Sequence, residues 1–145
     1  RIPAWSENTL VKVNGEKVNT VIPGAYLDIT RVWDKQDKIE ILLDMKCSLI
    51  DAPKGSNPAG HTLQAVKWGP VILARDQNLD ADYNKPVQII TDRSGNVNVR
   101  KVEPSLPGTC LEFIVPTTEG DIRMTDYSSV NNWNGTHVCT WLPLK

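Results

Sequence analysis

The sequence predicts an all-β protein: an antiparallel β-sandwich of the jelly-roll type with a smaller C-terminal β module. Short segments of alternating apolar and polar residues recur along the chain, and glycine, proline and asparagine turn signals separate them. No segment carries the sustained apolar periodicity of a helix. Because side chains alternate between the two faces of a strand, each such segment has one face that another layer must cover.

The first predicted hairpin lies near the N-terminus. Its first strand is Leu10-Val11-Lys12-Val13, and Asn14-Gly15 follows as a turn because both residues tolerate a positive φ. The second strand is predicted over residues 17–22 and stops before Pro23-Gly24.

A second hairpin is predicted from two alternating runs, residues 26–33 and 39–45, on either side of the polar turn at residues 34–38. The second run is expected to continue as a strand to residue 50. One face of each strand is apolar, so we expect these side chains in the core. The predicted core positions are Leu27, Ile29 and Trp33 in the first strand and Ile39, Ile41, Leu43 and Met45 in the second.

The remaining elements are short strands between turns. Proline and glycine recur in residues 51–60, which are predicted to form a loop, and Gly69-Pro70 separates two predicted strands as a bulge, a bend or a sheet edge. A polar connection over residues 76–86 suggests two parts, a β-sandwich over residues 1–76 and a smaller β module over residues 77–145. Strands are predicted over residues 62–68, 71–74, 87–91, 97–102, 111–115, 122–125 and 137–142.

The composition and charge of the chain limit the classes of partner that it is expected to bind. The 145 residues are 40% hydrophobic and 23% charged, as in an ordinary globular protein. A net charge of −1 with scattered lysines and arginines offers no field for nucleic acid or an anionic membrane. No apolar run reaches the roughly 18 residues of a membrane span. The chain begins at Arg1 without methionine or leader, so it is expected to be an excised fragment or a processed product.

The cysteines and histidines predict no metal site and no cofactor. Cys47, Cys110 and Cys139 are far apart in sequence, and His61 and His137 are isolated, whereas zinc sites need clustered ligands. Free thiols are the expected state. A disulfide between Cys110 and Cys139 is the alternative in an extracytoplasmic protein.

Acidic residues are one class of candidate catalytic group, because glycoside hydrolysis uses a pair of carboxyl groups. Their spacing places no two of them across a cleft, so we expect solvated surface acids. The chain has no Gly-x-Ser-x-Gly nucleophile motif and no phosphate-binding loop. The acidic residues to which this applies are Asp80, Asp82, Glu112, Glu119, Asp121 and Asp126.

Five of the nine aromatic residues are tryptophans. The flat face of an aromatic ring can stack on a sugar or anchor a domain contact, and three residues are the low-specificity candidates: Trp133 in the loop at residues 128–135, Tyr127 and Trp68. Trp5, Trp33 and Trp141 are expected to pack inside. Asn134-Gly135-Thr136 fits an N-glycosylation sequon and, equally, a turn.

Several of these segments, in this order, resemble one region of a known family. Residues 1–6, 11–15, 26–33 and 39–45 are similar to the β-sandwich that follows the helical catalytic barrel in glycoside hydrolase family 127, the β-L-arabinofuranosidase family. The resemblance continues over residues 65–74 with its Gly-Pro pair. It is weaker after residue 76, where Asp126-Tyr127 and Trp141-Leu142-Pro143 match, and Asp44 stands where the family pattern has proline.

The resemblance implies a role without catalysis. The family's chemistry is attributed to a cysteine nucleophile and a zinc ion, with a tandem Cys-Cys in the barrel upstream, and this chain has no adjacent cysteines. It therefore implies a non-catalytic portion of a larger glycoside hydrolase that packs on the barrel of the same parent chain. A periplasmic or secreted location is favoured. A carbohydrate-binding module for plant-type glycans and a free-standing hydrolase are the alternatives.

Overall fold

A computed structural model describes residues 1–55, 57, 62–130 and 136–144. The fold is all-β with antiparallel strands, as predicted, and a single turn of 3-10 helix at Tyr127–Ser129 is the one helical element in these ranges. The chain forms two compact units, Arg1–Lys46 and Cys47–Lys145. Among the described residues, no helix is long and apolar enough to cross a membrane.

Unit 1 contains a three-stranded antiparallel sheet in the order β2-β1-β3. Strand β1 is Leu10–Val13, β2 is Glu16–Lys17 and β3 is Ile39–Leu42. The Asn14-Gly15 turn between β1 and β2 is confirmed, with φ of 52° and 85°. Strand β2 ends at residue 17, so the prediction of a strand to residue 22 was wrong.

The predicted second hairpin was wrong. Residues 26–33 form no strand, and β3 pairs instead with β1, with Val13 opposite Ile39. The side chain of Asn14 explains this pairing. It donates to Asp37 Oδ1 over 2.6 Å and accepts the Lys38 N–H over 2.8 Å, which fastens the polar turn before β3 to the end of β1.

Most of the core positions predicted for that hairpin were wrong as well. Ile39, Ile41 and Leu43 are exposed, and Trp33 is 46% exposed. The Arg31 guanidinium lies 5.2 Å from the centre of the Trp33 ring. Alternation marked the apolar residues correctly, but it could not tell which strand would lie at an edge of the sheet. The buried residues of unit 1 are Ile2, Ser6, Val11 and Val13.

Unit 2 holds eight strands. The sheet order is β11-β5-β6-β9-β8-β7, with β4 also beside β5 and β10 also beside β6. Their bounds are β4 Cys47–Asp51, β5 Leu63–Trp68, β6 Val71–Asp76, β7 Arg100–Val102, β8 Glu112–Thr117, β9 Gly120–Asp126, β10 Val138–Cys139 and β11 Leu142–Pro143.

Strands β5 and β6 confirm the two strands predicted on either side of Gly69-Pro70. They pair with each other, and Gly69 has the positive φ of 56° that a tight hairpin turn can require. Residues 47–50 belong to β4 of unit 2 and do not continue β3. The units divide between Lys46 and Cys47, whereas the sequence predicts a boundary at residue 76. Sheet pairing crosses residue 76, because β6 pairs with β9 and β10.

Among the later strands, β8 and β9 are longer than predicted, whereas two other predicted strands are shorter. Residues 87–91 contribute a single bridge, Ile89 to Thr117, and the strand predicted over residues 97–102 begins at Arg100. The core of unit 2 lies on the opposite face from Ile50 and Ile72. Its buried members are Cys47, Val66, Leu73, Val87, Ile89, Val97, Phe113, Val115, Met124 and Leu142.

Candidate functional site

Glu112 of β8 is fully buried, so the prediction of a solvated acid was wrong for it. Its Oε2 accepts the Ser105 N–H over 2.7 Å and the Ser105 hydroxyl over 2.8 Å, and Arg123 donates to Oε1. Burial alone would raise the pKa of Glu112, but these donors together hold it below its usual range. The carboxylate is therefore paired and favoured in its ionised form.

Asp126, the last residue of β9, is also buried, and the prediction was wrong for it too. Its carboxylate accepts the Leu111 N–H over 2.9 Å, the Ser129 hydroxyl over 2.7 Å and the Ser128 hydroxyl. Burial alone would raise the pKa of Asp126, but the hydroxyl and amide donors lower it by more, so the pKa lies below its usual range. A glycosidase general acid needs a raised pKa, so neither buried acid has the environment for that task.

Arg75 of β6 is a third buried polar group, with 2% of its surface exposed. Its Nε and Nη2 donate to Asp80 Oδ2 over 3.0 and 2.7 Å. Nη1 donates to the Lys85 carbonyl over 2.8 Å and Nη2 to the Asp82 carbonyl over 2.7 Å. The guanidinium therefore fastens the polar connection over residues 77–86 to the sheet.

A cavity of about 510 Å³ lies beside the Arg75 guanidinium and its partners. Its lining mixes both signs of charge, including Arg123, Glu119 and Asp121. Four of the five N–H groups of Arg75 donate to protein oxygens, so they are not available to a ligand. Within the described ranges, no group of three or more histidine, cysteine or acidic side chains could hold a metal ion. All three cysteines carry free thiols.

The three aromatic residues singled out in the sequence have different environments. Trp68 is half-buried against the core of unit 2, with its ring 5.0 Å from that of Phe113. Tyr127 is 52% exposed. Trp133 lies outside the described residues, as does Asn134 of the sequon. Trp141, expected to pack inside, is 40% exposed, so that expectation was wrong.

Tyr127 and Trp141 line one cavity of about 350 Å³, here called the aromatic groove. Its floor is the face of β4, β5 and β6 that points away from the core, because Ile50, Ala65 and Ile72 alternate with core residues along each strand. The side-chain polar groups among its lining residues are the hydroxyl groups of Tyr127 and Thr140 and the indole N–H of Trp141. The groove therefore offers two aromatic faces in a largely apolar setting.

Unit 1 carries a different candidate, here called the apolar surface of unit 1. The name covers the eight large hydrophobic side chains of this unit that are at least 40% exposed, with Val32 at 92%; Ile39 and Ile41 project from one face of β3 and Leu42 from the other. The sequence identified several of them as apolar but assigned them to a core. Its members are Ile22, Tyr26, Val32, Trp33, Ile39, Ile41, Leu42 and Leu43.

Comparisons with known proteins give a consistent result. Residues 1–45 match the family model described as the middle domain of GH127 β-L-arabinofuranosidase. A comparison with curated proteins returned no match. Among solved structures, the fold is similar to a GH127 β-L-arabinofuranosidase from Geobacillus stearothermophilus T6, with a TM-score of 0.70 and 22% identity, covering 100% of this chain.

A second solved structure, described as a glycoside hydrolase, matches with a TM-score of 0.65 and 22% identity over 99% of this chain. The present chain spans only 27% of that protein and 26% of the Geobacillus one. The family model and the shared fold together confirm the predicted resemblance of this chain to the β-sandwich region of glycoside hydrolase family 127.

Proposed function

We propose that this chain is a non-catalytic accessory portion of a larger glycoside hydrolase and that it packs, through the apolar surface of unit 1, on a helical-barrel catalytic domain of the same parent chain. The observation that carries the proposal is the exposure of eight large hydrophobic side chains in so small a unit. Single exposed apolar side chains are common on protein surfaces, whereas eight of them within residues 1–46 favour a contact with another domain.

The comparisons support a partner within the same chain. About three-quarters of each similar structure lies outside the region that this chain matches, since the coverage is 26% and 27%. The polar clusters of unit 2 support the absence of catalysis. The carboxylate oxygens of Glu112 and Asp126 accept hydrogen bonds from protein donors, and their lowered pKa values do not suit a general acid. Each nitrogen of the Arg75 guanidinium donates to a protein oxygen.

The energy available is sufficient for docking. Covering a large hydrophobic side chain completely is worth about 1.5–3 kcal/mol, so even partial covering of several of these side chains stabilises an interface between domains. Val32 and Trp33 make the sharpest test, because both are exposed and lie outside the sheet of unit 1.

The test uses calorimetry of the full-length parent protein. We expect one cooperative transition in the unmodified protein and two separated transitions in the double variant Val32→Asp, Trp33→Ser, because the accessory portion then melts by itself. The matched control is Tyr127→Ser, Trp141→Ser, which changes two exposed aromatic residues of unit 2 and should leave a single transition. An unchanged single transition in the first variant would overturn the docking role.

Carbohydrate binding is the second candidate, and the aromatic groove favours it. Aromatic faces in a shallow, mostly apolar cavity with a few hydroxyl groups suit the apolar face of a sugar ring. Tyr127 and Trp141 supply those faces.

Affinity electrophoresis of the 145-residue chain in arabinan, arabinogalactan and pectin tests this candidate. Binding in the groove predicts retardation that Tyr127→Ala and Trp141→Ala abolish and that Trp33→Ala, a change in unit 1, leaves intact. Retardation that survives both groove variants would place binding elsewhere. Retardation lost only in Trp133→Ala would point to the loop that the sequence indicates.

A further inference from the structure

We propose that β3 is an open sheet edge which an extended segment from another part of the parent chain completes as an added strand. The inference rests on the proposed docking function and specifies how the contact is made. Strand β3 ends the order β2-β1-β3, and none of the described residues pairs with its outer side. An open edge offers a row of backbone donors and acceptors to a further strand.

The hydrogen-bond pattern shows which amides face outward. In an antiparallel pair, opposite residues alternate between bonded and non-bonded positions. The Asn14 N–H donates to the Lys38 carbonyl over 2.9 Å, and Lys12 lies opposite Glu40 in the same register. The backbone groups of residues 38, 40 and 42 therefore face β1, and those of Ile39 and Ile41 face the open side.

The other edge of this sheet is built differently. Strand β2 is two residues long, and both of them, Glu16 and Lys17, are charged and exposed. Strand β7, which ends the sheet of unit 2, likewise carries Arg100 and Lys101. Short length and charge are the usual protection of a strand edge against unwanted pairing. Strand β3, Ile-Glu-Ile-Leu, is longer, with four residues, and carries a single charge, that of Glu40, which pairs with Lys38.

The side chains define the chemistry of the added strand. Val11 and Val13 are buried and lie opposite Ile41 and Ile39, so the four side chains share one face of the sheet. On that face, the side chains of β1 are buried and those of β3 are exposed. A strand placed beside β3 with an apolar residue at every second position would extend the covered face over Ile39 and Ile41.

Residue-resolved hydrogen exchange tests the proposal. In the 145-residue chain, we expect the amides of Ile39 and Ile41 to exchange at least about tenfold faster than those of Glu40 and Leu42, because only the second pair is bonded to β1. In the full-length parent protein, the added strand should bond the first pair, and this alternation should disappear. Persistence of the alternation in the parent protein would overturn the proposal.

Two variants separate the backbone edge from the apolar face. Ile41→Pro removes an N–H that β1 does not use, whereas Ile41→Ala keeps that N–H and removes most of the side chain. Strand addition predicts a larger loss of melting temperature in the parent protein for Ile41→Pro than for Ile41→Ala. Equal losses would assign the contact to side chains alone and contradict strand addition. If Ile41→Pro does not fold, the exchange experiment still decides.

Hydroxyl-radical footprinting distinguishes failure of this inference from failure of the docking role. If Val32 and Trp33 are protected in the parent protein while the amide alternation persists, docking stands and strand addition fails. If these side chains are as reactive in the parent protein as in the 145-residue chain, both proposals fail.

Discussion

Val11 of β1 lies directly opposite Ile41 of β3, and the two side chains project from the same face of the sheet, yet Val11 is fully buried and Ile41 is 56% exposed. The difference comes from position in the sheet, since β1 has a neighbour on both sides and β3 has one. Both residues are β-branched and apolar, so their local sequences give no sign of this difference in burial.

The first prediction compares these two positions. Val11→Ala should lower the free energy of unfolding of the 145-residue chain by about 2 kcal/mol, because it leaves a cavity in a closed core. Ile41→Val removes one methylene at an exposed site and should cost less than about 0.5 kcal/mol. Denaturant unfolding measures both, and equal losses would show that β3 is covered in this chain.

The second prediction concerns two aromatic residues. Trp33→Ala should cost less than about 1 kcal/mol, because nearly half of the side chain is in solvent and its main partner is the Arg31 guanidinium. Phe113→Ala, in the core of unit 2, should cost about 3–5 kcal/mol. A loss for Trp33→Ala as large as that for Phe113→Ala would restore the interior position that the alternating pattern predicts.

The third prediction concerns the buried hydrogen bonds of the Arg75 guanidinium. Arg75→Met removes one partner of a buried ion pair and leaves Asp80 and two carbonyl groups without their donor, so a loss of about 3 kcal/mol is expected. Lys85→Met breaks an exposed pair with Asp82 and should cost less than about 0.5 kcal/mol. Thermal and denaturant melts compare the variants. An unchanged free energy of unfolding in Arg75→Met would show that the connection over residues 77–86 does not need the Arg75 hydrogen bonds.

The fourth prediction is a pH dependence. The pKa of Glu112 in the folded protein lies below its ordinary value of 4.5, so its contribution to stability is complete above that pH and is lost as the pH falls through the folded pKa. Between pH 7 and pH 3, the unmodified chain should therefore lose stability more steeply than Glu112→Gln. Asp121→Asn, an exposed acid on β9, is the control and should keep the steep profile.

The fifth prediction orders the thiols by reactivity. Burial raises the pKa of the Cys47 thiol to about 11, and burial also raises that of Cys139, whereas Cys110 is exposed. Because the thiolate is the reactive form, a thiol reagent at neutral pH should label Cys110 first, Cys139 more slowly and Cys47 only on unfolding. Mass spectrometry follows the order, and Cys110→Ser should remove the fast phase alone. Early labelling of Cys47 would contradict its burial.

The sequence predicted the local features of this protein well. Asn14-Gly15 is a turn, Gly69-Pro70 joins a strand pair, and most of the strand segments after residue 110 are present. These features depend on the backbone preferences of a few adjacent residues, so a short window contains the relevant information. The candidate site was harder to predict, because Tyr127 and Trp141 line one cavity with residues of β4, β5 and β6, and only the fold brings these segments together.

What the sequence determined by itself is the all-β class, the places of the main turns and the identity of the apolar residues, because each follows from periodicity or from a local dihedral preference. Tertiary structure alone decided that β3 pairs with β1 rather than with residues 26–33, that Ile39 and Ile41 lie at an edge, and that Glu112 and Asp126 are buried with donors around them. The physical reason is that alternation assigns a side chain to a face, while the distant strands and donors that meet that face decide whether it is covered.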